Sequence, residues 1–142
     1  MTVILRRLVL VALTAANAVT GGWAYGAPRH WYENFPGMGR SWLPQLGPFN
    51  EHMAKDAGAM FLALAVLGLI ALWRVESTVF VQAIGLVLLT FNVLHLIYHM
   101  RHLHVYGDLD KALNVIVLVL LVALSAALLA PERTRRAVAA HR

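Results

Sequence analysis

Residues 78–102 read TVFVQAIGLVLLTFNVLHLIYHMRH, an apolar run that carries no charge from Thr78 to Met100 and ends among histidines. About 20 such residues are what an α-helix needs to cross the hydrocarbon core of a bilayer. Reading this segment as a membrane span fixes the class of the protein, because charged residues make up only 13% of the 142, against roughly 25% in soluble domains. Working outward, Ala57 to Trp73 and Ala112 to Ala130 are uncharged runs apart from their ends, and Leu8 to Ala27 is a weaker fourth. Arg74-Val75-Glu76-Ser77 leaves room only for a tight turn, so the second and third spans form an antiparallel hairpin.

The expectation is an all-α fold, a four-transmembrane-helix bundle forming one integral membrane domain over residues 1–142. Its spans lie at about 8–27, 54–73, 78–100 and 110–130, followed by a basic tail at 131–142. The first run also offers Ala24-Tyr25-Gly26, small residues at the positions a signal peptidase inspects. An uncleaved first helix stopped by Pro28 is the preferred reading. Asn17, near the middle of that helix, is expected to hydrogen-bond to a neighbouring helix.

The net charge of +5 is unevenly placed in this plan. Arg6, Arg7, Arg74, Arg133, Arg135, Arg136 and Arg142 share the side of the termini with Glu76 and Glu132. On the opposite side Arg29, Arg40, Lys55, Arg101 and Lys111 are balanced by Glu33, Glu51, Asp56, Asp108 and Asp110. The asymmetry is a topology signal, with both termini cytoplasmic in a multi-pass protein of the plasma membrane. Nucleic acid is excluded as a partner, since the basic residues sit at membrane borders without a binding module. The chain has no cysteine, which removes disulfides and thiolate metal sites. Neither a phosphate-cradling glycine loop nor a serine beside a plausible base is present.

The long outer connection from Arg29 to His52 is not a polar linker. It holds Trp31, Tyr32, Phe35, Trp42 and Phe49, rings suited to a segment seated in the headgroup zone or folded over the bundle as a lid.

Chemistry concentrates at the outer ends of the second and third spans. His95, His99 and His102 stand at i, i+4 and i+7, so one helix face carries all three, with Asn92 beneath them and His104 just beyond. Glu51-His52-x-x-x-Asp56 opens the second span at similar depth. Two imidazole and carboxylate pairs on antiparallel neighbours are how bundles assemble a metal centre. The expected site comprises His52, Asp56, His95 and His99, with His102 and Glu51 nearer the surface. Zn, Cu or Fe suit these ligands, as does haem b held by His95 or His99 with an imidazole from the other helix. Such a centre points to a redox or metal-dependent membrane enzyme.

The competing reading is a non-catalytic accessory or structural subunit of a membrane complex, or a homo-oligomer. The same polar residues are then a hydrogen-bonded network, and lipid-facing Gly58, Gly68 and Gly85 pack on partners. A proton or ion relay along the histidines is a third possibility.

One resemblance adds to the fold. Tyr32-x-x-Phe35-Pro36-Gly37, Leu46-Gly47-Pro48-Phe49-Asn50-Glu51-His52, Asp56-x-Gly58 and His95-Leu96-x-Tyr98-His99-x-Arg101-His102 together resemble a group of small bacterial four-helix integral membrane proteins. Their overall plan is similar to that of DoxX-like membrane proteins. The resemblance spans nearly the whole chain and implies the four-span fold, without implying an activity.

Overall fold

The computed structural model describes residues 1–131, and the basic tail from Glu132 onward, with His141, lies outside the described residues. Four long helices dominate: α1 (Val3–Gly26), α3 (Glu51–Trp73), α4 (Thr78–Arg101) and α5 (Asp108–Ala127). All four are long and apolar enough to cross a membrane. Between α1 and α3 the chain forms a short helix α2 (Pro28–Asn34), a two-stranded hairpin of β1 (Pro36–Gly37) and β2 (Arg40–Ser41), and a 3-10 turn at Leu43–Gln45.

Helix boundaries follow local chemistry. Thr2 caps α1, its hydroxyl accepting from the Leu5 N–H at 3.3 Å, and Pro28 stands at the start of α2, where its missing N–H is no loss. Asn50 caps α3 by accepting from Met53 N–H at 3.1 Å. The last span ends short of Pro131. From Leu128 to Ala130 the N–H groups reach back three residues rather than four, a tightened final turn.

The helices pack as two close pairs, α1 with α3 and α4 with α5. Close approach depends on residues without side chains. A Cβ on Gly21 would lie 2.8 Å from Leu62 N, one on Gly58 would lie 2.6 Å from Tyr25 N, and Gly68 faces Thr14 across the same seam. In the second pair, a Cβ on Gly85 would lie 2.8 Å from that of Leu128. Gly58, Gly68 and Gly85 are therefore consumed inside the chain, which corrects the expectation that they face partners. Small residues let helix backbones meet in lipid, where water gives no driving force.

Within the α4–α5 pair, Asn92 Nδ2 donates to Ser125 Oγ and that hydroxyl donates to Leu121 O, both at 2.8 Å. Gln82 donates to Leu129 O at 2.9 Å. Asn17, by contrast, donates to Leu13 O of its own helix. Among the described residues its expected bond across helices is not made, the carbonyl of the preceding turn taking the amide instead.

The two pairs meet towards the end that holds the termini. Leu10, Leu13, Leu64, Val81, Leu88 and Leu128 belong to one apolar core there. The buried Arg6 donates from Nη1 to Thr78 Oγ1 at 3.1 Å, and the Met1 ammonium donates to Pro131 O. Both ends of the described chain thus lie at one end of the bundle, and the connecting loops that hold the histidines lie at the other.

Candidate functional site

On α4 the histidine ladder forms as the spacing requires. The Phe91 ring stacks on His95 at 5.5 Å, and His95 and His99 stand 4.6 Å apart between ring centroids. His99 is only 8% exposed, and among the described residues its Nδ1 has no hydrogen-bond partner. His102 leaves the face. The helix ends at Arg101, and the ring turns back so that Nδ1 lies 2.8 Å from Tyr98 O while stacking on Tyr98 at 4.3 Å. His104 is exposed in the following 3-10 turn.

On α3 the partner residues sit at the expected level. Phe61 meets Phe91 edge to face at 5.4 Å. Counting back five residues from Phe61 reaches Asp56, and counting on four from Phe91 reaches His95, so at equal rise per residue the two are nearly level. Their direction is what differs from the expectation. At 100° per residue, His52 and Asp56 lie roughly half a turn round the helix from Ala54 and Gly58, which are buried. His52 therefore pairs with Asp56 at 3.2 Å with side chains 81% and 61% exposed, and Glu51 pairs with Lys55 at 3.2 Å. The structure brings together His95 with His99 and His52 with Asp56. It does not bring the two pairs into one cluster, and among the described residues no group of three or more His, Asp or Glu side chains is arranged to hold a metal ion.

At the same end of the bundle the loop closes as a cap. Trp42 Nε1 donates to Asp110 Oδ1 at 2.8 Å and Arg40 donates to the same oxygen, fastening β2 and its neighbour to the first turn of α5. Rings continue the cap from Trp31 to Phe35 at 5.9 Å, Phe35 to Trp42 at 6.2 Å and Trp42 to Tyr106 at 6.2 Å. At the far side Trp23 Nε1 donates to His30 Nδ1 at 2.8 Å.

Beneath Trp42 lie Tyr106, 5% exposed, and Asn114, 1% exposed. Among the described residues Tyr106 Oη and Asn114 Nδ2 meet no partner at strict hydrogen-bond geometry. Burial pushes the Tyr106 hydroxyl up to about 12, Tyr98 and Asp110 add to the rise, and the nearby Asn114 amide opposes it. The Gly85–Leu128 contact sets the α4–α5 register. Fourteen residues on from Gly85 is His99 and fourteen back from Leu128 is Asn114, so equal rise puts the two on one level. A buried imidazole, a neutral phenol and an amide thus occupy the capped end of this helix pair.

The sequence marks Trp42 only as one of the lid rings, leaves Tyr106 unmarked and offers Asp110 only as a charge. The available signal was an acidic residue in the first turn of an apolar span, where a carboxylate requires donors. No protein-family model matches the chain, and no curated protein or solved structure matches it.

Proposed function

We propose that this small multi-pass membrane protein binds a divalent transition metal ion, Zn, Cu or Fe, through His95 and His99 at its loop end. The observation that carries the reading is the pair of imidazoles at 4.6 Å on one helix face, of which the outer, His99, is buried with an Nδ1 that has no hydrogen-bond partner among the described residues. Imidazole nitrogens suit these metals. Two protein ligands make an open site rather than the closed four-ligand shell of a structural zinc. The metal would supply Lewis acidity or electron transfer at the open positions. His52, Asp56, Glu51 and His102 stay outside this reading, since each is engaged on its own helix. Haem b fits less well: a bis-histidine haem with one ligand from each helix needs an imidazole from α3, and His52 there is exposed and paired with Asp56.

Elemental analysis and Co(II) absorbance of detergent-purified protein test the reading. About one metal per chain is expected, lost in His95→Ala and in His99→Ala and kept in His52→Ala and His104→Ala. Metal that survives the double replacement at residues 95 and 99 would refute it.

A second reading, a non-catalytic subunit with a structural network, is favoured by the Asn92–Ser125 bond and the Asp110 latch. It expects no metal at all, and a stability loss of about 1–3 kcal/mol in Asn92→Ala. We also propose that the shared end of the chain termini, with Arg6, Arg7 and Arg74, faces the cytoplasm of a plasma membrane. A reporter fused at Gln45 should then report the exterior, and a cytoplasmic signal there would reverse the orientation.

A further inference from the structure

The two ends of the bundle treat their cations differently. At the loop end the chain supplies its own anions: Arg29 pairs with Glu33 at 3.6 Å, Lys55 with Glu51 at 3.2 Å, Lys111 with Asp108 at 3.0 Å, and Arg40 with Asp110. Arg101 alone of that end's cations lacks a carboxylate among the described residues. At the end that holds the termini the exposed arginines have no such partners. Arg7 is exposed, and among the described residues its side chain makes no hydrogen bond or ion pair. The exposed Arg74 guanidinium meets only the Trp73 ring, 5.1 Å from its centroid, and that ring is itself 79% exposed. Glu76, the one described carboxylate at this end, pairs with neither. Arg6 is buried and engaged with Thr78, so it is not part of this surface.

Helix packing sets the two exposed guanidinia at one depth. Thr14 faces Gly68 across the α1–α3 seam. Seven residues back from Thr14 is Arg7, which keeps it on that side of α1, and seven on from Gly68 is Val75. Arg7 is therefore level with the end of α3 and its cap, Arg74. From Pro131, whose carbonyl accepts from the Met1 ammonium at this same end, the sequence continues through Arg133, Arg135 and Arg136. The end of a membrane span lies among headgroups, where a guanidinium finds phosphate oxygens that match its planar fork.

We propose that this end of the bundle binds anionic glycerophospholipid of the phosphatidylglycerol type, with Arg7 and Arg74 on headgroup phosphates and Trp73 in the interface beside them. Charge complementarity selects the occupant. A zwitterionic headgroup brings an ammonium that the same arginines repel, whereas an anionic one supplies the charge that Glu33, Glu51, Asp108 and Asp110 supply at the other end. The surface uses no residue of the metal reading and holds in either orientation of the chain.

Native mass spectrometry of the detergent-solubilised full chain tests this, with phosphatidylglycerol and phosphatidylethanolamine of identical acyl chains supplied in equal amounts. The wild type should retain phosphatidylglycerol in preference, by roughly fivefold for each arginine. Arg7→Gln combined with Arg74→Gln should remove most of that preference, and the Lys pair at the same positions should keep most of it. The charge-matched control at the loop end, Lys55→Gln with Arg101→Gln, should leave it unchanged. Inorganic phosphate should not displace the lipid, and displacement would assign the arginines to a free anion instead. Equal retention of the two lipids by the wild type, a preference that survives the double glutamine replacement, or an equal fall in the control would overturn the proposal. Should the double glutamine variant fail to fold, the wild type alone decides: its preference should shrink as ammonium acetate is raised, and a salt-independent preference would overturn the charge argument.

Discussion

Replacing Asp110 by Ala should unfasten the loop from α5. Oδ1 of Asp110 accepts both the Trp42 indole and the Arg40 guanidinium, so the substitution strands two donors of different surroundings. Trp42 is buried, and leaving its N–H unsatisfied costs about 1–2 kcal/mol. The Arg40 and Asp110 side chains are 27% and 29% exposed, and solvent screening holds their pairing to about 0.5–1 kcal/mol. Asp110→Ala should therefore destabilise by about 1.5–3 kcal/mol in total. Asp110→Asn keeps an acceptor for Trp42 while losing the charge, and should cost about 0.5–1 kcal/mol. Denaturant unfolding of the detergent-solubilised protein, followed by tryptophan emission, measures both. A double-mutant cycle with Trp42→Phe should give a coupling of about 1 kcal/mol, and effects that add within roughly 0.5 kcal/mol would refute the shared latch.

Two other predictions concern the packing under and beside the cap. The Tyr106 hydroxyl is raised from 10.0 to about 12 by burial, so its contribution is complete below pH 10 and is lost as pH climbs towards 12. Tyr106→Phe should flatten the alkaline fall in stability over that window, and an unchanged alkaline profile would count against burial of the phenol. Gly58→Ala sets a Cβ 2.6 Å from Tyr25 N, whereas a Cβ on Gly22 meets nothing within 4 Å. Overpacking at Gly58 costs about 1–3 kcal/mol against a helix-propensity gain of about 1 kcal/mol, for a net loss of up to about 2 kcal/mol. Gly22→Ala should gain about 0.5–1 kcal/mol, and thermal shifts of the same sign in both variants would contradict the seam.

The four-helix plan was legible because uncharged runs of span length leave the backbone few options in lipid. The level of the two ligand pairs was legible as well, since equal distances from the Arg74–Ser77 turn translate into equal rise. Helix rotation was not. His52 and Asp56 turn outward because Ala54 and Gly58 are drawn to α1, and the choice of α1 rather than α4 as the close neighbour of α3 rests on the Gly21–Gly58 and Thr14–Gly68 fits. Such steric matches between distant segments leave no periodic trace in the chain. The latch of Arg40 and Trp42 on Asp110 spans 70 and 68 residues of sequence, and an acidic residue at a helix start reads equally well as a dipole partner.

The arrangement of the two helix pairs has a mechanical consequence. Leu10, Leu64, Val81 and Leu128 in the shared core act as a fulcrum, and α3 and α4 extend from it as lever arms. From Val81 to His99 is 18 residues, an arm of roughly 27 Å. A relative tilt of about five degrees at the fulcrum displaces its tip by about 2 Å, on the order of one metal–nitrogen bond. The spacing between His52–Asp56 and His95–His99 is thus tied geometrically to leucine and valine packing at the opposite end of the bundle, together with the nearer Phe61–Phe91 contact.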